Sequence, residues 1–209
     1  GDGAKAFGVA DLESLKEKIP GLLKNVPGSY SRAVVFGMRL QKAVLDGIKD
    51  SPTPLYFHNY RQLNYQLDRL SLVIADMIQS EGYAAVAIPA SQIVRKDPMC
   101  GAISHKLLGL EAGLGFIGRS TLLVNGKYGA QMRYTSVLTD MPLEPDGRTK
   151  DDCGDCIACI EVCPAKAIKE NSADFDLKAC YAKLTEFTRI PFVGQHICGV
   201  CVKACPGRQ

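Results

Sequence analysis

Along the first 150 residues apolar positions recur in two periods, and together they predict strands and helices in alternation. Leu12, Leu15 and Ile19 stand at helical spacing and predict a helix over residues 9–18, ended by Pro20 and Gly21. Residues 33–38 (AVVFGM) and 83–88 are short, apolar and partly β-branched, the character of buried strands. Between them the chain breaks at Ser51-Pro52-Thr53-Pro54. A long helix over residues 60–79 follows, with Leu63, Leu67, Leu70, Val73, Ile74, Met77 and Ile78 on one face and Gly82 as its stop. Ser104 reads as the cap of a helix over 105–112, stopped by Gly113. Residues 121–124 and 131–139, either side of Asn125-Gly126, read as two antiparallel strands joined by a short loop. The sum is a mixed sheet with helices on its faces, and residues 142–147 (PLEPDG) read as a linker out of it.

Past that linker the composition changes. Residues 1–150 hold a single cysteine, Cys100, while eight more follow in the remaining 59 residues. The expected division is therefore a mixed α/β domain over 1–147 and a small cysteine-rich domain over 148–209. The first cysteine run is Cys153-x2-Cys156-x2-Cys159-x3-Cys163-Pro164; the second is Cys198-x2-Cys201-x3-Cys205-Pro206, with Cys180 between them. Eight thiolates meet the requirement of two 4Fe-4S cubanes, because each cubane takes four soft ligands and the tight spacing lets one loop reach three irons. In two-cluster ferredoxins the cysteine before the proline serves the other cluster. That rule assigns Cys153, Cys156, Cys159 and Cys205 to cluster A, and Cys163, Cys180, Cys198 and Cys201 to cluster B.

Disulfides are a poor reading of these cysteines, since a chain of 209 residues with 46% apolar residues builds an ordinary core without staples. Zinc uses C-x2-C pairs but does not call for three cysteines in that register followed by Cys-Pro. Net charge is +4 over residues 1–150 and −1 over 151–209, and no basic run marks a polyanion surface. No apolar stretch reaches a signal or membrane-span length, so the expectation is a cytoplasmic protein with no membrane partner.

The second informative stretch is Ala112-Gly113-Leu114-Gly115-Phe116-Ile117-Gly118-Arg119. Three glycines in six residues let backbone approach something closely, either a ligand loop or a helix stop and tight turn. It follows a predicted helix and leads into a strand, the reverse of a dinucleotide fingerprint.

This segment, the Ser136-Val-Leu-Thr-Asp140 strand end, Pro142-Leu-Glu-Pro145 and the offset cysteine pattern together resemble epoxyqueuosine reductases and their corrinoid-dependent reductive dehalogenase relatives, from about residue 60 to 206. The resemblance implies an α+β protein: a nitroreductase-like mixed α/β domain followed by a two-cluster, bacterial-ferredoxin-like domain, with a cobalamin held base-off between them. It implies Gly113, Gly115, Gly118 and Arg119 as a corrinoid loop, with electrons entering from a ferredoxin- or flavodoxin-type donor protein. The protein would then be oxygen-sensitive and reduce a small substrate. The family's helical-repeat domain, which helps engage tRNA, has no counterpart after Cys205, so tRNA is an unexpected substrate. The family's acid in a D-x-x-P-like segment has its nearest counterpart in Asp97, about two residues out of register and otherwise a turn residue before Pro98.

His105, at the start of the helix leading into the glycines, is the other candidate proton donor, or else a first-turn residue of a capped helix. Cys100 reads as a buried small hydrophobe or a redox thiol, and Tyr60, Tyr65 and Tyr134 as core or pocket wall. Two rivals remain open: clusters that relay electrons to a partner oxidoreductase with no corrinoid, and a flavin in the α/β domain.

Overall fold

In a computed structural model, which describes residues 3–96 and 99–207, the elements run β1 (Ala6–Asp11), α1 (Leu12–Lys18), β2 (Arg32–Arg39), α2 (Lys42–Asp46), α3 (Pro54–Ser80) and β3 (Ala85–Ile88). There follow β4 (Arg95–Lys96), β5 (Met99–Cys100), α4 (His105–Glu111), β6 (Phe116–Ile117), β7 (Leu123–Val124) and β8 (Met132–Thr139). The cysteine-rich tail adds α5 (Ala158–Glu161), a 3₁₀ turn (Ser172–Asp174), α6 (Leu177–Phe187) and α7 (Val200–Lys203).

The chain forms two compact units that interleave along the sequence. The first is Gly1–Met38, Leu63–Leu114 and Arg133–Thr149; the second is Arg39–Gln62, Gly115–Met132 and Lys150–Gln209.

The first unit is built on a four-stranded sheet of order β1-β2-β8-β3. β1 pairs antiparallel with β2, and β3 with β8. Bonds from Ser31 N–H to Thr139 O and from Leu40 N–H to Gln131 O give β2 and β8 the same sense, so the sheet is antiparallel throughout. This corrects the expected mixed sheet. β2, α3 and β3 do form a strand-helix-strand succession, but β8 slots between the two strands and they never pair.

Side-chain alternation separates the two faces of the sheet. Phe36 and Met38 of β2 and Val137 of β8 pack with Leu67, Ala75 and Ile78 of α3 on one face. On the other, Gly8 of β1 lies so close to the Ala112 carbonyl behind α4 that a Cβ there would clash. α3 starts at Pro54, where a missing N–H costs nothing, and the Thr53 hydroxyl accepts from Tyr56 N–H at 3.1 Å.

Two further expectations shift. The predicted helix over 9–18 begins only at Leu12, because Val9 and Ala10 complete β1 and the Asp11 carboxylate caps α1 through Glu13 N–H at 3.0 Å. The predicted hairpin of 121–124 with 131–139 does not form. β7 pairs back onto β6 within the glycine segment, and β8 joins the main sheet.

In the second unit the tail packs with segments drawn from far earlier. Lys203 Nζ donates to the carbonyls of Asp46 (3.1 Å) and Ile48 (2.5 Å), and Gln131 Nε2 donates to Lys203 O at 3.2 Å. Gly199 is held at φ +84° with no room for a Cβ between Ile48 and Tyr56. Each of these contacts steadies α7 and the second cysteine run.

Candidate metal centre

The first cysteine run is a loop organised by its own backbone. Asp152 Oδ1 accepts from Gly154 N–H at 2.8 Å, Gly154 turns at φ +50°, and Cys156 N–H closes on Cys153 O at 3.1 Å. The single turn of α5 then carries Cys159 and delivers Cys163, whose Sγ accepts from Ala167 N–H at 3.4 Å. Across the loop lies Arg119, with Nη1 on Cys156 O at 2.9 Å and Nη2 on Gly154 O at 2.8 Å. These bonds hold the two carbonyls that would otherwise let the loop open.

Cys180 sits in the first turn of α6, capped by the Asp176 carboxylate on Ala179 N–H at 2.9 Å. Cys198 and Cys201 flank the start of α7, and Cys205 lies just past its end. Cys205 O accepts from Ala130 N–H at 3.0 Å, which ties the second run to the loop after β7. His196, two residues before Cys198, stacks on Tyr181 with ring centroids 5.0 Å apart and contacts Thr185 Oγ1 at 3.3 Å.

The thiols influence one another in two sets. Burial pushes the Cys159 thiol up, and Cys205, Cys153 and Cys156 push it further; Cys205 is raised by burial and by Cys153 and Cys156. Cys180 is raised by burial and then Cys163, and Cys198 is raised to about 11 by burial, Cys180 and Cys163. Cys201, the most enclosed, is pushed up by burial and then by Cys198, Cys163 and Cys180, with Cys159 the weakest neighbour. Cys159 and Cys205 thus lie within electrostatic reach of Cys153 and Cys156, and Cys180, Cys198 and Cys201 within reach of Cys163, with Cys201 also feeling Cys159.

Thiols so placed are costly to ionise unless an electrophile takes up the thiolates, because a buried thiol resists ionisation while a coordinated one is deprotonated outright. Among the described residues no three His, Cys, Asp or Glu side chains converge on a point that would hold one metal ion. A cubane asks for a wider arrangement, with thiolates spread over the corners of a cluster. A set of thiols is the donor type that iron-sulfur clusters take.

The glycine segment is another matter. A Cβ on Gly113 (φ +69°) would stand 2.5 Å from Gly147 O, and one on Gly115 would run into Val124 O. One on Gly118 would press Val124 Cγ2 at 2.8 Å and Cys153 Sγ at 3.3 Å. The close approach that the glycines permit is taken up by the chain itself, and Arg119 is committed to the cysteine loop. As a corrinoid cradle these four residues do not fit. Among the described residues neither Arg119 Nε nor the buried Tyr134 hydroxyl finds a hydrogen-bond partner, and burial pushes the Tyr134 phenol upward.

Of the candidate acids, Asp97 lies outside the described residues. His105 Nε2 meets Pro89 O at 3.0 Å and Nδ1 meets Ser136 Oγ at 2.9 Å. A carbonyl only accepts, so Nε2 carries the proton and Nδ1 accepts from the serine hydroxyl. Desolvation lowers its pKa to about 4, helped by Arg133 and opposed by the Pro89 bond and Asp68. His105 is thus neutral near pH 7, with both nitrogens engaged in pinning α4 to β8 and to the end of β3. Cys100 is half-buried on β5.

A group that the sequence reading passed over surrounds the end of β3. Arg133 reaches Asn64 Oδ1 (3.0 Å) and Ala90 O (3.1 Å), while Asp68 Oδ1 accepts from Ala90 N–H at 2.7 Å. Asn64 and Asp68 stand four apart on the apolar face of α3, and polar residues at core positions are the signal that marks them.

No family model matches the chain. In sequence it is 32% identical over 111 residues to an epoxyqueuosine reductase from Leadbetterella byssophila, covering 50% of this chain and 37% of the relative. An epoxyqueuosine reductase from Cyclobacterium marinum is 28% identical, covering 95% of this chain and 73% of the relative. The chain spans little more than a third of the length of the first curated relatives it matches. In fold it superposes on a catabolic reductive dehalogenase bound to 3-bromo-4-hydroxybenzoic acid, with TM-score 0.75 and 20% identity over 99% of this chain and 30% of that one. It superposes also on an epoxyqueuosine reductase bound to an epoxyqueuosine-modified tRNA-Tyr stem loop, with TM-score 0.60 and 19% identity over 98% of this chain and 62% of that one.

The chain is therefore similar in sequence to epoxyqueuosine reductases, and it shares its fold with them and with reductive dehalogenases. The expectation against tRNA is overturned. It rested on a helical-repeat segment beyond Cys205, yet the fold that this chain does contain is the one found together with a tRNA stem loop. Among the described residues no helix is long and apolar enough to cross a membrane.

Proposed function

We propose that the protein is an iron-sulfur reductase of the epoxyqueuosine reductase type, in which two 4Fe-4S clusters pass single electrons toward a corrinoid. The reading is supported by the eight cysteines, whose spacing assigns two sets of four and whose thiols influence one another mainly within those sets. In this reading residues 148–209 form the ferredoxin-like cluster domain, and 1–147 a nitroreductase-like domain that meets the corrinoid. The clusters and the corrinoid, when bound, supply one-electron storage and a low-valent cobalt centre.

The chain's own part is positioning. Arg119 fixes the carbonyls of Gly154 and Cys156 so that three thiolates face one cluster, and Ala167 N–H on Cys163 Sγ lowers the negative charge that sulfur carries. Asp97 is the proposed acid. His105, neutral and doubly bonded, orients the elements around it. The donor of electrons is a ferredoxin- or flavodoxin-type protein, and the compartment is the cytoplasm. Small substrates and a modified nucleoside in tRNA both stand as candidates; the fold likeness to a tRNA-bound relative supports the second.

A second reading, an electron relay to a partner oxidoreductase without a corrinoid, is favoured by the self-packed glycines and the committed Arg119. Titrating the anaerobically reconstituted protein with cob(II)alamin separates the two. The first reading expects the cobalt EPR spectrum to change to the base-off form and the cobalt to be reducible through the clusters. An unchanged free-cobalamin spectrum beside intact clusters selects the relay.

A further inference from the structure

α3 has two faces, and among the described residues one of them packs against the sheet. Leu67, Ser71, Ala75 and Ile78 turn to the sheet, while Tyr65, Arg69, Leu72, Val73, Asp76 and Met77 turn to solvent. Leu72, Val73 and Met77 are 64%, 55% and 63% exposed, an apolar patch that an isolated soluble helix face does not ordinarily carry. In the middle of the patch stand two opposite charges, Arg69 and Asp76, seven residues apart. Neither has an ion-pair partner among the described residues.

The order of these residues is self-complementary. A two-fold axis crossing α3 between Leu72 and Val73 relates position 69 of one helix to position 76 of an antiparallel second helix. Arg69 of each copy then meets Asp76 of the other, and the Leu72 and Val73 side chains of both copies flank the two ion pairs. This is the pattern an isologous interface requires, in which one patch recognises itself. A parallel arrangement would set Arg69 against Arg69.

We infer that the outer face of α3 is a homodimer interface, its occupant a second copy of this chain packed antiparallel across Leu72 and Val73. The interface is independent of any cofactor. A contact along one helix is at the small end of stable interfaces, so the expected dissociation constant is on the order of micromolar. The two symmetry-related ion pairs fix register more than they add affinity.

The test is sedimentation velocity on the anaerobically purified chain from about 1 to about 100 μM, with native mass spectrometry of mixtures. The wild type should pass from monomer to dimer across this range. Arg69→Glu and Asp76→Arg should each weaken self-association by about tenfold or more, because either change sets like charges together twice. Mixed in equal amounts, those two variants should form a heterodimer, since each then supplies what the other lacks. The double variant, carrying both changes, should regain wild-type association. A monomeric wild type throughout the range overturns the proposal, as does a dimer indifferent to both charge changes. Unchanged circular dichroism of each variant keeps misfolding from imitating a broken interface.

Discussion

The protonation state assigned to His105 has a consequence for stability that can be measured directly. Its folded pKa is lowered to about 4 against 6.5 for the ordinary group, with burial the largest cause. Between those values the unfolded chain binds a proton that the folded chain refuses, so folding stability is complete above about pH 6.5 and falls as the pH drops toward 4. The loss works out at about 1 kcal/mol by pH 5.5 and about 2 to 3 kcal/mol by pH 4.5. His105→Gln removes the titration while leaving a side chain able to bond Ser136 or the Pro89 carbonyl. Urea unfolding of wild type and variant should therefore show the wild type ahead at pH 7.5, by about 1 to 2 kcal/mol for the bond it loses. That lead should disappear by about pH 5 and reverse below it. Taking the difference between the two proteins cancels acid effects common to both, including any on the clusters. A gap that stays constant from pH 7.5 to 4.5 would refute the buried neutral imidazole, and a gap that widens on acidification would indicate a histidine carrying its charge in the fold.

Arg119→Gln removes two hydrogen bonds from the first cysteine loop, and the loosened loop should lose iron faster on exposure to air, read as iron retained per chain against time. Tyr134→Phe deletes a buried hydroxyl that has no partner among the described residues, so the corrinoid-free protein should unfold at an unchanged or higher temperature, with up to about 1 to 2 kcal/mol gained. A clear fall would mean the hydroxyl is bonded after all. Cys205→Ser should reduce the iron content by about half and spare one cluster's EPR signal. Cys100→Ser should leave both signals intact.

What could be read from the amino-acid order was mostly what depends on neighbours in the chain. The cysteine runs are local motifs, and their spacing with the proline rule is what assigns them to two sets of four. α3 was legible from its 3.6-residue period, but Val73 and Met77 were assigned to the core face and turn outward instead. Hydrophobicity alone could not separate a residue facing the sheet from one at the edge of a second apolar patch. β1 was absorbed into the predicted helix because Val9 and Ala10 are as compatible with a first helical turn as with a strand. What decides for the strand is pairing with residues 32–37 of β2, a long-range term.

The glycine segment shows the same limit more sharply. Its close approach was anticipated, while the atoms approached were not. Gly147 O and Val124 O belong to parts of the chain that no periodicity connects to residues 113–115. The placement of β8 between β2 and β3 was likewise hidden, since sequential order favours pairing along the chain and the fold departs from it here. Asn64 and Asp68 carried a visible sign, polar side chains on the apolar face of a long helix, and the sequence reading did not take it up.

The proposed electron path requires two clusters held by the eight cysteines, and a count of iron and acid-labile sulfide on anaerobically purified protein, combined with EPR of the reduced state, tests for them most directly. The prediction is about eight irons and about eight sulfides per chain, with spectra of two interacting 4Fe-4S clusters. A chain that holds zinc without labile sulfide, or one that never exceeds about four irons after reconstitution, would contradict it.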